Sequence, residues 1–180
     1  MTQTSPSHML FGELEIVSML ENLADEVCAR HKTDDIMLVG IQRRGADLAR
    51  RLTTCIGRRM GKPPAMGTLD INLYRDDWTS VEGKPHIGVS SIPDTVEGSV
   101  IILVDDVLFT GRTIRAALEA ILDYGRPRAV ELLVLVDRGN RELPIQPDYV
   151  GRVVKTSRME HVDVLLRERD GEDGVRLVAC

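Results

Sequence analysis

Aromatic side chains are scarce in this sequence. Phe, Trp and Tyr make up 3% of its 180 residues, although 43% of the residues are hydrophobic. The buried surface must therefore come from Val, Leu, Ile, Ala and Met, which are also common in protein cores. A charged fraction of 28% beside this hydrophobic fraction excludes an intrinsically disordered chain and is typical of a globular protein. The length suits one domain spanning 1–180.

Long apolar runs and cysteine motifs are also lacking. No run approaches the roughly 18 apolar residues that a membrane span needs. The opening MTQTSPSHMLFGELE lacks the basic and apolar regions of a secretion signal. Cys28, Cys55 and Cys180 are far apart and show neither CxxC nor zinc-site spacing. We therefore expect reduced thiols, buried at positions 28 and 55, in a cytoplasmic protein without a membrane partner.

An excess of basic residues is missing as well. The chain has 23 Lys and Arg against 28 Asp and Glu, which gives a net charge of −5. This balance excludes a general nucleic-acid binder, because such proteins present a positive surface. A local basic patch would still allow one specific contact.

What the sequence does contain is an alternation of helix-like and strand-like segments. Apolar residues recur at three- and four-residue intervals in three segments, and short apolar or alternating runs precede or follow them. Helices are expected at 13–30, 46–60 and 113–124, the last capped by Gly125, and strands at 36–41, 66–74, 99–104 and 129–136. This order implies an α/β fold with helices on both faces of a mostly parallel sheet. Shorter candidate strands follow at 148–154, 161–166 and 175–178.

A long polar segment interrupts this pattern at about 75–98. It contains three Gly and two Pro, and it is longer than the usual connection in a compact domain. Long loops of this kind are often lids that close over a substrate and exclude water. We therefore expect a flexible loop that takes part in binding.

The stretch VIILVDDVLFTGRT, residues 100–113, carries the strongest functional signal. An apolar strand runs into two adjacent carboxylates, Asp105 and Asp106 (the acidic pair), and a Thr-Gly-Arg-Thr turn opens the next helix. Ligands of parallel α/β sheets bind beyond the carboxyl ends of the strands. The free N–H groups at a helix start bind anions, and glycine allows the backbone to approach them closely. A sugar phosphate satisfies both features, with its phosphate on the turn and its hydroxyls on the carboxylates.

Three other interpretations use similar parts. A P-loop ATPase requires GxxxxGK[ST], which this sequence does not contain. A phospho-acceptor domain has acids at strand ends but no phosphate turn directly behind them. A purely structural strand with a solvated acidic turn leaves two adjacent carboxylates to repel each other without an outside partner.

The stretch closely resembles the phosphoribosyl pyrophosphate (PRPP) motif of type I phosphoribosyltransferases. The segments VGIQRRG (39–45), LYRDD (73–77) and VLVDRGNRELPIQPDYVG (134–151) resemble one branch of that family, the bifunctional PyrR proteins, and the likeness extends over about 9–170. Members of this branch are uracil phosphoribosyltransferases that also bind RNA and attenuate transcription of pyrimidine operons. The resemblance implies the type I fold, with a small C-terminal hood, and Mg²⁺ that is bound together with PRPP rather than by the protein alone.

The resemblance also implies roles for individual residues in the sugar-phosphate half of the site. The acidic pair would bind the ribose hydroxyls and favour positive charge on the ring, and Arg75 would stabilise the departing pyrophosphate. Arg43 and Arg44 belong to the pyrophosphate loop (41–45), where the family has a non-proline cis peptide. The 5′-phosphate would bind the phosphate turn, whose members are Val107, Leu108, Phe109, Thr110, Gly111, Arg112 and Thr113.

The base is expected at the end of another strand. Asp137 and Arg138 would lie beside the uracil, which main-chain groups would recognise, and Val162 resembles a residue that lines the same pocket. Because that pocket is largely main chain, a phosphoribosyltransferase for another base remains an alternative.

RNA binding is a second function of a different class. Its candidate contacts are Arg141, Arg152, Lys155 and Arg158, and UMP or UTP in the active site is expected to strengthen it. Against it, the first helix carries Glu21, Asp25 and Glu26 where RNA-binding members tend to be basic, and Gln146 is neutral. The chain is therefore either a transferase that also binds leader mRNA of pyrimidine genes or a transferase alone. A homo-oligomer is expected, since it would place two basic faces side by side.

Overall fold

A parallel sheet forms the centre of the computed structural model, which describes residues 7–32, 35–75, 89–93 and 96–179. Its strands are, in spatial order, β3 (Ala65–Leu69), β2 (Ile36–Ile41), β4 (Val100–Leu108), β5 (Ala129–Asp137) and β6 (Tyr149–Val153). The helices beside it are α1 (Glu13–Arg30), α2 (Arg44–Met60) and α3 (Arg112–Leu122). An antiparallel sheet of β1 (Ser7–Phe11), β8 (Gly174–Ala179) and β7 (Glu160–Leu165), with the single turn α4 (Arg167–Asp170), forms the hood.

Both faces of the parallel sheet are covered. All six residues of β2 are buried, as expected for a parallel strand between two helical layers. Leu38 packs into the apolar cluster that contains the inner faces of α1 and α2, whereas its neighbours Met37 and Val39 pack into the cluster that contains α3. Along β4, Ile102 and Leu103 divide in the same way. The core is therefore aliphatic on both sides, as the composition predicts.

The order of the strands places the carboxyl ends of β2 and β4 side by side. From β2 the chain moves outward to β3, and from β4 it moves through β5 to β6 in the other direction. The neighbours β2 and β4 therefore flank the point at which the order reverses, where open parallel sheets bind their ligands. Gly40 of β2 pairs with Val104 of β4, so the pyrophosphate loop follows β2 next to the acidic pair.

Several boundaries differ from the sequence-based expectations. The strand predicted at 99–104 continues to Leu108, because the backbone from Asp105 to Leu108 stays paired with β5 up to Asp137. The strand predicted at 66–74 ends at Leu69, and a 3₁₀ turn (Asn72–Tyr74) follows. The third helix ends at Leu122 with Asp123 as its cap, so the assignment of Gly125 as the cap was wrong.

Part of the expected lid lies outside the described residues. Of the segment 75–98, residues 76–88 and 94–95 are not described. Cys28 and Cys55 are free thiols, half-buried and buried respectively, and burial raises the pKa of both. Among the described residues, no helix is long and apolar enough to cross a membrane.

Candidate active site

The acidic pair lies near the end of β4 and is partly removed from water. Asp105 is buried, with 7% of its surface exposed, and Asp106 is half-buried. Each carboxylate accepts the backbone N–H of the following residue at 3.0 Å. Burial, and then the like charge of Asp106, raises the pKa of Asp105 well above its usual value. A ligand that brings hydroxyl donors or a cation would relieve this cost, as a ribose with its metal would.

The phosphate turn has the local geometry of an anion site. Gly111 caps α3 in the left-handed region, with φ at +92°, and as a glycine it has no side chain to cap the helix. The Thr110 hydroxyl accepts the first N–H, that of Arg112, at 3.3 Å, and the N–H groups that follow face the helix start, where the dipole favours negative charge. A Cβ at Gly111 would lie 3.3 Å from the Cβ of Ile145, so the position excludes a side chain by both conformation and space.

The segment 137–145 supports this turn from the neighbouring strand. The N–H groups of Glu142 and Leu143 donate to the carbonyl of Thr110 at 2.9 and 3.2 Å. The Glu142 carboxylate accepts Nε of Arg112 at 2.7 Å. Glu142 and Leu143 of the branch-specific RELPI residues, to which sequence reasoning gave no role, therefore hold the phosphate turn in place.

Asp137 and Arg138 shape the base side of the site through their own contacts. The Asp137 carboxylate accepts the N–H of Gly139 at 2.9 Å and the Arg141 guanidinium at 2.6 Å. Arg138 is 3% exposed, and its guanidinium lies 3.9 Å from the ring centroid of Phe109. Both side chains are thus engaged by the protein itself, and the expected recognition of a base by main-chain groups stays a prediction.

Val162 does not lie at a strand end. It is 3% exposed in the middle of β7, and it belongs to the same apolar cluster as Val136 and Leu135. Its packing is that of a core valine, and its expected place in the base pocket stays a prediction.

The pyrophosphate loop is held very close to β4. The peptide between Gln42 and Arg43 is cis, as the family resemblance implied. A Cβ on Gly45 would lie 2.3 Å from the carbonyl oxygen of Val104, and one on Gly40 would lie 2.4 Å from Cα of Ala46. Only glycine at both positions allows the start of α2 to pack against the strand that carries the acidic pair. Sequence reasoning gave these two glycines no role, although both lie within the quoted VGIQRRG segment.

The three arginines expected at the pyrophosphate end differ in their surroundings. Arg43 is exposed at the start of α2. Arg44 instead donates to Oδ1 of Asp170 in α4 at 3.1 Å, so its guanidinium lies against the hood. Arg75 is exposed directly after the 3₁₀ turn, and the carbonyl of Tyr74 beside it accepts the Arg115 guanidinium of α3 at 2.6 Å.

Among the RNA-binding candidates, Arg141 stands apart. Arg152 is exposed near the end of β6, and Lys155 and Arg158 are exposed in the segment between β6 and β7. The Arg141 side chain is only 15% exposed, and it donates to the carbonyls of Phe109 and Ile145 at 3.0 and 2.9 Å as well as to Asp137. Its guanidinium therefore serves the active-site loops, because these bonds leave it little surface for a phosphate backbone.

The acidic face of α1 is also less negative than the sequence suggests. Glu21 pairs with Arg58 and Arg59 of α2 at 2.9 and 2.7 Å, and Asp25 pairs with Arg59. The hydrogen bond from Arg59 holds the pKa of both carboxyls below their usual values. Two of the three acids that argued against RNA binding thus have cationic partners.

A metal ion has no protein cage in the described part of the chain. No group of three or more His, Cys, Asp or Glu residues there could hold a metal ion. The acidic pair still offers carboxylate oxygens, the ligands that Mg²⁺ prefers when substrate phosphates and waters complete its shell. This donor set fits a metal that arrives with its substrate.

Comparison with known proteins places this geometry in a family. The model of the phosphoribosyl transferase domain matches residues 13–168. A bifunctional protein PyrR of Pelotomaculum thermopropionicum is 50% identical over 157 residues, which cover 87% of each chain. One from Thermus thermophilus is 50% identical over 169 residues, which cover 93% of each chain.

Solved structures agree on the fold. A hypoxanthine phosphoribosyltransferase of Trypanosoma cruzi matches with a TM-score of 0.70 at 17% identity, over 95% of each chain. One from Staphylococcus aureus matches with a TM-score of 0.68 at 18% identity, over 96% of this chain and 92% of that one. The expected type I phosphoribosyltransferase fold is thereby confirmed. Sequence identity near one half, along nearly the whole chain, then places the protein in a branch: it belongs to the phosphoribosyl transferase domain family and, within it, to the PyrR proteins.

Proposed function

We propose that this protein transfers the 5-phosphoribosyl group from PRPP to uracil, forming UMP and pyrophosphate, and that it is also an RNA-binding regulator of pyrimidine genes. The observation that carries the transferase chemistry is the position of the buried acidic pair. It lies directly ahead of the Gly111 turn and beside the pyrophosphate loop, at the point where the strand order reverses. PRPP has one group for each of these features: the ribose for the acidic pair, the 5′-phosphate for the Gly111 turn and the pyrophosphate for its loop.

The chain contributes positioning and electrostatics to this reaction. The bond from C1 of ribose to the pyrophosphate oxygen breaks, the bond from C1 to N1 of uracil forms, and the N1 proton is released. Positive charge that builds on the ribose is stabilised by the nearby carboxylates of Asp105 and Asp106, which also bind its hydroxyls. Because these charges are fixed in advance in a partly desolvated site, they lower the barrier without a covalent enzyme intermediate.

The remaining site residues bind the two phosphate groups. N–H groups at the start of α3, with the hydroxyls of Thr110 and Thr113, hold the 5′-phosphate. The pyrophosphate loop with Arg43, and Arg75 from beside α3, hold the leaving group. Mg²⁺ bound with PRPP would contact the acidic pair, and it supplies charge neutralisation on the pyrophosphate.

The choice of base is a finer part of the proposal. The Asp137 side chain is engaged by Gly139 and Arg141, and that of Arg138 by Phe109, so we assign recognition of the base to main-chain groups of the 137–145 segment. The solved neighbours named for hypoxanthine share under 20% of their residues with this chain and support the fold alone. Uracil is favoured because the PyrR relatives share about half of their residues with this chain, and the PyrR branch is one of uracil phosphoribosyltransferases.

RNA regulation rests on the exposed basic segment together with the PyrR relationship. We assign RNA contact to Arg152, Lys155 and Arg158, and give Arg141 a role inside the active site. Leader mRNA of pyrimidine genes is the proposed partner, UMP or UTP the proposed ligand that strengthens its binding, and a homo-oligomer the proposed state.

One assay tests the transferase half. Purified protein is mixed with PRPP, Mg²⁺ and one base at a time, and product nucleotide is quantified. We expect UMP from uracil, and little product from hypoxanthine, guanine or adenine. Product from another base in preference to uracil would overturn the assignment of substrate while leaving the reaction class intact.

A further inference from the structure

The single turn α4, in the hood, is bound to the start of α2 by a matched series of ion pairs. Reading forward along α4, Glu168 pairs with Arg51, Arg169 with Asp47 and Asp170 with Arg44. The α2 partners are spaced at three and four residues, so they lie on one face of its first two turns. The two elements therefore meet in a fixed antiparallel register.

Burial distinguishes one of these pairs from the others. The Asp47 side chain is only 6% exposed, and its two oxygens accept Nε of Arg169 and the Arg50 guanidinium. Arg50 is 63% exposed, so Arg169 is the more enclosed of the two partners, with 37% of its side chain exposed. A carboxylate this far from water requires a well-placed cation, whereas exposed ion pairs contribute little.

The same arginine reaches the pyrophosphate loop. A terminal nitrogen of the Arg169 guanidinium lies 3.5 Å from the carbonyl oxygen of Arg43, at the outer end of hydrogen-bond range. On the opposite side, Gly45 packs the start of α2 against the backbone of Val104. The loop is thus held between β4, which carries the acidic pair, and α4, which belongs to the hood.

We infer that Asp47 and Arg169 are positioning residues for the pyrophosphate of PRPP, acting through the main chain of residues 42–45. The inference rests on the proposed function, because it takes pyrophosphate to be the group that this loop binds. Loop N–H groups bind an anion well only when they converge, so a small displacement of the start of α2 weakens the contact. In the proposed site the base and the 5′-phosphate bind elsewhere, at 137–145 and 107–113. Their binding should therefore not change when Asp47 or Arg169 is substituted.

The test compares Arg169→Gln with Arg167→Gln. Arg167 lies on the same turn but pairs with Glu13 of α1, so its substitution removes an α4 ion pair without touching α2. We expect Arg169→Gln to raise the KM for PRPP about tenfold, the size of one lost charge-assisted hydrogen bond. The KM for uracil and the kcat at saturating PRPP should change by less than about twofold, and Arg167→Gln should leave all three unchanged.

A binding measurement separates positioning from stability. Calorimetry with Mg²⁺-pyrophosphate should show a higher Kd for Arg169→Gln and for Asp47→Asn, and the double variant should be no weaker than the single ones, because the residues act as one unit. The inference is overturned if the variants lose only thermal stability, or if the KM for PRPP and for uracil rise together. If wild-type protein binds pyrophosphate but forms no UMP, the proposed function fails and the calorimetric comparison still decides the inference.

Discussion

Two features of its surroundings oppose the ionisation of Asp105: its burial in β4 and the adjacent carboxylate of Asp106. Both raise the pKa of Asp105 above the value of an unfolded chain. A raised folded-state pKa contributes stability below the unfolded value, and this contribution is lost as pH rises through the folded value. At a pH above its folded-state pKa, the ionised Asp105 therefore costs folding free energy, which the protein retains for binding.

Asp105→Asn should accordingly be more stable and less active than the wild type. At about pH 8 we expect the free energy of unfolding to increase by about 1–2 kcal/mol, a typical gain when a strained functional group is replaced. The difference should shrink as pH falls, because the wild-type carboxyl then takes up its proton. Chemical denaturation at a series of pH values from 8 downward provides the measurement. A variant that is less stable than the wild type at pH 8 would contradict the assigned cost.

Glycines at the site are a second feature at the residue scale, and they act through space as well as conformation. Gly111 combines a φ of +92° with close contact to Ile145, whereas Gly61 has a φ of +74° with open space around it. Both positions require a left-handed backbone, but only Gly111 is crowded by a neighbouring side chain. Gly61 is therefore a matched control for Gly111.

Gly111→Ala should lower stability and weaken PRPP binding, while Gly61→Ala should only lower stability. We expect each substitution to cost about 1 kcal/mol from the left-handed backbone. Only Gly111→Ala should raise the KM for PRPP, because the added methyl displaces the turn from Ile145. Thermal melts and steady-state kinetics of both variants would check this. Equal KM values for the two would show that the turn does not bind phosphate.

At the scale of elements, the sequence allowed the parallel strands and the PRPP motif to be predicted well. β2 was expected at 36–41 and is found there, because a continuous apolar run between polar residues has few other interpretations. The acidic pair and the phosphate turn were likewise found from local order alone. The far end of the third predicted strand was missed, since two adjacent carboxylates are more typical of a loop than of the inside of a strand.

Contacts between distant segments could not be predicted in this way. The hood brings together residues near both ends of the chain, and β1 pairs with β8 through hydrogen bonds that no periodicity encodes. The pairing of Glu21 with Arg58 and Arg59, and of Arg44 with Asp170, is of the same kind. Each charge was visible in the sequence, but its partner depends on how α1, α2 and α4 pack.

At the scale of the whole molecule, the net charge is negative whereas the proposed RNA-binding surface is positive. The chain carries −5 overall, yet Arg152 near the end of β6 is exposed, as are Lys155 and Arg158 in the connection that follows. RNA that binds there must approach an acidic protein, so its affinity should depend steeply on salt.

Filter binding with the leader RNA of the chain's own pyrimidine operon tests this patch. Arg158→Gln should weaken binding and lower the salt slope by about one. The control Arg126→Gln, which changes an exposed arginine just before β5 at the opposite end of that strand from residue 137, should do neither. UMP should strengthen wild-type binding. If no RNA is bound at low salt with or without UMP, the protein is a transferase alone.

The central claim is that the acidic pair of β4 acts on the ribose of PRPP, and Asp106→Asn tests it most directly. Asp106 is half-buried, so the change should leave the fold intact, while it removes a charge that the transition state needs more than the ground state does. The measurement is Mg²⁺-dependent formation of UMP from uracil and PRPP by wild type and variant, with circular dichroism to confirm folding. We predict that kcat falls at least about a hundredfold, as it does when one preorganised electrostatic group is lost. A folded variant with near wild-type kcat would contradict the account.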